Sequence, residues 1–266
     1  MPNLKVYQGW ALITGASAGI GREFARAIAA RGVSCVLVAR RADRLEELAV
    51  ELRDQHGVEC RCVEQDLTAP SAVDRVVEAV ADIPIGILVN NAGLGHAGRF
   101  ESRDPARLAA MVQLNCAAPV LLTRAFIPAM VERKRGAVIM VSSVLGIVTC
   151  PYESVYAATK AFDLHLGEAL YSEYRGSGID VITLCPQATK TEFLTAQGFT
   201  QEESDARHRM ANRPEDIVEL TLRKLGKKPT TGPFLMTAAD TIIRFLPRKL
   251  RAILARPMMA KIHLGE

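Results

Sequence analysis

The sequence predicts an α/β fold, a doubly wound parallel sheet of about seven strands with helices on both faces. Three observations predict it. Short apolar runs alternate with helical patterns along most of the 266 residues. The run at residues 33–39, VSCVLVA, is rich in β-branched residues and has no polar alternation, as a strand covered on both faces does. A glycine-rich turn joins the first apolar run to the first helical pattern.

The elements follow in order. Residues 10–14 form the first strand and 19–31 the first helix. After the strand at 33–39, residues 42–56 form a charged amphipathic helix, with Gly57 placed to end it. Residues 58–63 give the third strand, 70–81 the third helix and 86–90 the fourth strand. Two helical stretches fill 105–133, followed by a fifth strand at 137–141, a long helix at 154–175 and a sixth strand at 179–184. This alternation implies right-handed crossovers and a parallel sheet. Beyond it, 191–213 reads as polar and helix-like, and 214–225 as a helix with Pro214 in its first turn. Residues 234–236 read as a last strand. No composition break divides residues 1–240, which form one domain; residues 241–266 are a separate extension.

Charge locates that extension. The chain holds 33 Lys+Arg against 29 Asp+Glu, with 49% hydrophobic residues, an ordinary globular composition that excludes disorder and collagen. Through Asp240 there are 27 basic and 28 acidic residues, so the net +4 comes from Arg244, Arg248, Lys249, Arg251, Arg256 and Lys261. A nucleic-acid coat carries its charge across a folded face, so nucleic acid is not expected as a partner. The tail also places Leu250, Ile253 and Leu254 at helical spacing. Such a basic amphipathic segment suits peripheral contact with an anionic membrane, a partner subunit or the mouth of a substrate cleft. The longest uncharged stretch, residues 136–152, has 17 residues, short of the about 20 that cross a bilayer. The start of the chain lacks a secretory pattern, and Cys35, Cys60, Cys62, Cys116, Cys150 and Cys185 fit reduced thiols in a cytoplasmic protein. Their spacing does not fit a zinc site, and no metal is expected.

The first strand ends in Thr14-Gly15-Ala16-Ser17-Ala18-Gly19-Ile20-Gly21. A glycine-rich turn before a helix lets backbone N–H groups approach a pyrophosphate, and the helix N-terminus favours its charge. The second strand ends in Arg40 and Arg41, with no acid before Asp43. An acid there suits a ribose 2′-hydroxyl, whereas a guanidinium suits a 2′-phosphate. The reading is therefore NADP rather than NAD, with Arg40 as first choice of ligand and Arg41 as alternate.

Tyr156 and Lys160 stand four apart at the start of the long helix, so they share a face. An ammonium beside a phenol lowers its pKa toward working pH, as acid/base chemistry requires. Tyr152 is a rival without a Lys partner. Ser143 follows the fifth strand and Asn90-Asn91-Ala92-Gly93 the fourth, so both lie where a parallel sheet binds ligands.

In order, TGASAGIG, Asp66, NNAG, Asn115, Ser143 and YAATK resemble the short-chain dehydrogenases/reductases, over roughly residues 8–235. The separation of 13 residues between Ser143 and Tyr156 fits that family. The resemblance implies a Rossmann-type fold and hydride transfer to or from NADP(H), without metal. It implies that Tyr156 is the general acid in carbonyl reduction and the base in alcohol oxidation, and that Ser143 holds the substrate oxygen. Lys160 would bind the nicotinamide ribose and tune Tyr156, and Asn115 would hold a water in a proton relay. Thr14, Gly15, Ser17, Gly19, Ile20 and Gly21 would shape the pyrophosphate site. Asp66 and Leu67 would meet the adenine. Asn91, Ala92 and Gly93 would border the cofactor near the central strands, and Pro186 and Thr191 would lie at the nicotinamide. It also implies a homodimer or homotetramer, built on the helices bearing Asn115 and Tyr156.

Two departures from the family stand out: Gln187 replaces the usual Gly after Pro186, and Ala18 replaces a Ser or basic residue in the glycine loop. The expected pocket borders are Leu94, Val144, Leu145, Ile147, Val148, Phe193 and Leu194, with residues 191–213 as a lid and His96 nearby. Apolar walls suit a bulky carbonyl or secondary alcohol. The competing reading is a catalytically silent dinucleotide-binding regulator.

Overall fold

The computed structural model describes residues 2–196 and 211–232, together with 200, 202, 204, 247, 249, 250, 253, 255–257, 259 and 260. Seven strands form one parallel sheet: β1 (Trp10–Thr14), β2 (Cys35–Ala39), β3 (Cys60–Glu64), β4 (Ile85–Asn90), β5 (Gly136–Val141), β6 (Ile179–Leu184) and β7 (Thr230–Thr231). Their order is β3-β2-β1-β4-β5-β6-β7. The chain leaves β1 toward one edge and returns to β4 on its other side, so the topology switches between β1 and β4.

The helices are α1 (Gly19–Ala29), α2 (Ala42–His56), α3 (Ala72–Ala79), α4 (Pro105–Val112), α5 (Ala118–Arg133), α6 (Ser154–Glu173), α7 (Phe193–Ala196) and α8 (Pro214–Lys224). Strands β2, β4 and β5 are buried along their whole length because both sheet faces are covered. Successive residues serve opposite layers. Ile13 and Leu37 pack with Phe24, Ile28 and Leu48 beneath α1 and α2, and with Val218 of α8. Leu12, Val36 and Leu88 pack with Val76 of α3 and Leu122 of α5 on the other face. Gly57 ends α2 in the left-handed conformation at φ 64°, and its N–H donates to the Arg53 carbonyl.

Some features are absent from the periodicity. Residues 105–133 form one continuous helical run, because a π-helical turn, Gln113–Ala117, joins α4 to α5. Pro119 cannot donate to the Asn115 carbonyl four residues back, so regular α-helical bonding fails here. The turn holds Asn115 fully buried. By length and composition this run is apolar enough to cross a membrane, yet its inner face packs on β4, β5 and α3. The expected strand at 234–236 lies outside the described residues, as does much of 191–213. The seventh strand described is Thr230–Thr231, beside Thr183 and Leu184. Within 191–213, α7 forms, and Ala188 and Lys190 bond to Asn212 across the base of the excursion.

α6 approaches the sheet closely at Gly167, where an added Cβ would run into the Thr183 hydroxyl and lie 3.4 Å from Met140 Cγ. Gly167→Ala gains about 1 kcal/mol of helix propensity and costs about 1–3 kcal/mol in overpacking. The expected outcome is net destabilisation in urea or thermal unfolding. A stability at or above that of the parent would show that α6 has room to move away from β6.

Candidate active site

The carboxyl ends of β1, β2, β4, β5 and β6 open on one cavity of about 800 Å³. Every residue expected in catalysis or cofactor binding lines it except Thr14, Gly21 and Asn115, which sit directly behind its wall.

The floor is a hydrogen-bonded junction. Thr14 Oγ1 donates to the Val89 carbonyl at 3.2 Å and accepts from the N–H groups of Asn91 and Ala92 at 2.9 and 3.0 Å. Asn91 Nδ2 donates to the Thr14 carbonyl at 2.8 Å. The turn after β1 packs against this junction. Gly15 has φ 68°, and a Cβ there would lie 2.7 Å from Asn91 Nδ2. A Cβ at Gly21 would strike the Gly15 carbonyl. Both glycines are therefore required by close approach. The first turn of α1 has no side-chain cap, and Ala18, Gly19 and Ile20 line the cavity. A glycine cradle ending at an uncapped helix N-terminus fits the pyrophosphate of a dinucleotide.

The end of β2 gathers guanidinium groups. Arg41 donates to Ser17 Oγ through Nε and Nη2 at 3.3 and 3.1 Å, and to Glu192 Oε2 at 2.9 Å. Arg44 Nη1 grips both Glu192 oxygens at 2.6 and 2.8 Å. Sequence reading gave Arg41 second place and did not consider Arg44 or Glu192. Arg40 is exposed at the rim and acts on Asp66 through its charge. Burial pushes Asp66 up, but hydrogen bonds from the Thr68 N–H and hydroxyl, with Arg40, hold it below the usual carboxylate value.

The opposite wall carries Ser143, Tyr156 and Lys160. Ser143 hydrogen-bonds Tyr156, and its Oγ accepts from Leu145 N at 3.1 Å. Lys160 Nζ donates to the Val141 carbonyl at 2.8 Å and to Asp163 Oδ2 at 2.9 Å. Burial works against the Lys160 ammonium, and the paired Asp163 together with Tyr156 and Cys116 outweighs it, raising the lysine above its usual value. For Tyr156 the expectation from spacing is corrected. Burial pushes its hydroxyl up, Glu153 and Asp163 add to the rise, and Lys160 and Ser143 bring it only partly back. Asn115 lies fully buried behind this wall. Its Oδ1 accepts from Leu94 N at 2.8 Å, and its Nδ2 donates to the Leu94 carbonyl at 2.8 Å and Thr159 Oγ1 at 2.9 Å.

Leu94, Val144, Leu145 and Phe193 line the cavity as expected, with the Phe193 ring 5.7 Å from that of Tyr156. Ile147 and Val148 do not line it, because the chain after Gly146 turns away from the strand end. The Leu194 side chain lies outside the described residues. His96 also stays off the wall and pairs with Arg103 Nη1 at 2.8 Å. Gln187 lines the cavity without strain: positive φ outside glycine occurs at Gln8, Ser71, Lys134 and Tyr152 among the described residues. Sequence reading missed Glu153, Glu192 and Met259 on the wall, and Asp163 behind it. Only the helical spacing of Glu153 and Asp163 from Tyr156 and Lys160 carried a signal. Met259, from the basic extension, is buried against Cys150 and Ala157 and reaches the same wall.

Comparison with known proteins agrees with this geometry. The short chain dehydrogenase family model matches residues 9–202. A 7beta-hydroxysteroid dehydrogenase of Collinsella aerofaciens is 33% identical over 222 residues, 84% of each chain. A solved structure from work on 7beta-hydroxysteroid dehydrogenase stereoselectivity superposes with TM-score 0.87 at 29% identity, covering 96% of this chain and 99% of that one. A short-chain dehydrogenase of Sphingobium yanoikuyae in complex with NADPH gives TM-score 0.77 at 32% identity, covering 90% and 96%. The chain belongs to the short chain dehydrogenase family, whose members are oxidoreductases that bind a nicotinamide dinucleotide.

Proposed function

We propose that the protein is an NADP(H)-dependent oxidoreductase that interconverts a bulky, largely apolar ketone and its secondary alcohol. The observation that carries this reading is the meeting of Ser143, Tyr156 and Lys160 on one wall of the cavity whose floor is the glycine cradle. When bound, the dinucleotide supplies or accepts the hydride. The cradle from Gly15 to Gly21, with Ser17, Gly19 and Ile20, holds its pyrophosphate. Asp66 and Leu67 hold the adenine, Asn91, Ala92 and Gly93 border the ring path, and Pro186 and Thr191 flank the nicotinamide.

The side chains divide the proton work. Leu145 N–H donates to Ser143 Oγ, which leaves the serine's own proton for the substrate oxygen. In reduction, Tyr156 gives its hydroxyl proton to that oxygen; in oxidation it takes the proton back. Lys160 binds the ribose hydroxyls and stabilises the phenolate formed. Pro119 deprives the Asn115 carbonyl of its α-helical donor, which supports Asn115 as the holder of a relay water.

The preference for NADP(H) rests on oxyanion recognition at the end of β2. Arg41 and Arg44 already chelate a carboxylate, that of Glu192, beside Ser17. A 2′-phosphate has the same bidentate chemistry. This geometry favours Arg41 over Arg40 as the principal ligand. The relative named for 7beta-hydroxysteroids and the apolar walls support a rigid polycyclic substrate. The burial of Met259 supports the basic extension as a cover of the cleft, while Leu250 and Ile253, 40% and 56% exposed, remain for a membrane or partner. Exposed Val120 and Leu121 on α5 and Phe162 on α6 support self-association through those helices. A catalytically silent regulator has no use for the Ser143, Tyr156 and Lys160 set, which argues against that reading.

Tyr156→Phe is expected to lower ketone turnover with NADPH by about 10²- to 10⁴-fold. NADPH binding, read by fluorescence titration, is expected to change little. Turnover close to that of the parent would remove Tyr156 as the proton donor. Losing a charge-assisted bond worth about 1.5–3 kcal/mol, Arg41→Ala is expected to weaken NADPH binding about 10- to 100-fold while NADH binding barely moves. An unchanged preference for NADPH over NADH would refute the Arg41 assignment.

A further inference from the structure

Lys160 and Asp163 stand three residues apart on α6, with side chains 6% and 3% exposed. The carboxylate oxygen Oδ2 accepts from Lys160 Nζ, and Oδ1 is buried with no hydrogen-bond partner among the described residues. A buried carboxylate is costly unless it is paired, and an apolar side chain fills such a position as well. The pairing with Lys160 is therefore the reason for an aspartate here.

The charges around Tyr156 give that pairing a consequence. From α6, Lys160 and Asp163 act on the Tyr156 hydroxyl, Glu153 acts from just before that helix, and Ser143 reaches it from the end of β5. The Cys116 thiol faces the Lys160–Asp163 pair from the π turn, and burial pushes it up to about 11, so it stays neutral. An ammonium standing alone near a phenol lowers its pKa by about 1–3 units. Here a carboxylate 2.9 Å from the same ammonium offsets that field, and Glu153 adds a second negative charge.

We infer that Asp163 is a positioning residue: it fixes the Lys160 ammonium against the Val141 carbonyl and offsets its field at Tyr156, which leaves Tyr156 a proton donor suited to carbonyl reduction. The inference rests on the roles of Tyr156 and Lys160 proposed above. It makes the protonation state of Tyr156 a property of the charge balance around Lys160. The sign is as follows. With Asp163 ionised, the phenol keeps its proton through neutral pH and loses it only in the alkaline range. With that charge removed, the phenol loses its proton at lower pH.

The test is the pH profile of kcat/KM for alcohol oxidation with NADP⁺, which rises as Tyr156 ionises. In Asp163→Asn the rising limb is expected to move down by about one pH unit, giving about a tenfold gain at a pH below the limb. Asp163→Glu is expected to restore the parent limb. A folded Asp163→Asn with an unmoved limb would overturn the inference. A second measurement is the tyrosinate absorbance of the free parent protein against that of Asp163→Asn, with Tyr156→Phe identifying the Tyr156 signal. Ionisation of Tyr156 at lower pH in Asp163→Asn than in the parent supports the inference, and ionisation at the same or a higher pH overturns it. This readout stands apart from turnover, so full activity in Tyr156→Phe would remove the catalytic reading while the titration still decides what Asp163 does to the phenol.

Discussion

The hydrogen bonds that Thr14 makes across the sheet are the constraint on which the site depends. They join the ends of β1 and β4, the two strands between which the topology switches. At a switch point the connecting segments leave in opposite directions and open a crevice beyond the strand ends. Thr14 and Asn91 close the bottom of that crevice with five polar contacts between them and their neighbours. Everything above is built on this floor. The glycine turn lies against Asn91, and α1 starts from that turn with its N-terminus toward the cavity.

The second wall is fixed by α6. Lys160 reaches across to the Val141 carbonyl at the end of β5, and Ser142 Oγ donates back to the Lys160 carbonyl at 2.6 Å. Helix and strand end are thus tied from both sides, which sets Tyr156 beside Ser143. Gly167 keeps the helix close enough for this reach. Asn115 adds a tie from the π turn to Leu94 and Thr159, which joins the loop after β4 to α6. The wall bearing Ser143, Tyr156 and Lys160 and the floor beneath the glycine turn are therefore parts of one hydrogen-bonded frame.

Much of this was legible in the sequence. The continuous apolar runs of the strands, the glycine turn and the four-residue spacing of Tyr156 and Lys160 are local, and local geometry follows from them directly. The features that were not legible depend on distance or burial. An aspartate three residues after a lysine on a helix reads as an exposed ion pair, and only the packing of α6 buries Asp163. Glu192 meets Arg41 and Arg44 across about 150 residues of chain, so no window contains the contact. The π turn adds one residue to a helical pattern that continues on both sides. The environment of Tyr156 was misjudged because spacing reports the nearby ammonium and says nothing of the two carboxylates or of desolvation.

The chemistry proposed for this crevice is hydride transfer between a nicotinamide dinucleotide and a ketone carbon. It is tested most directly with NADPH carrying deuterium at the transferring position of the nicotinamide, in single turnover with bulky ketones, a 7-ketosteroid among them. The account predicts one deuteron on the carbinol carbon of the product for each NADP⁺ formed. Oxidation of NADPH with no deuterium in the alcohol, or tight binding of NADPH with no turnover of any ketone, would contradict it.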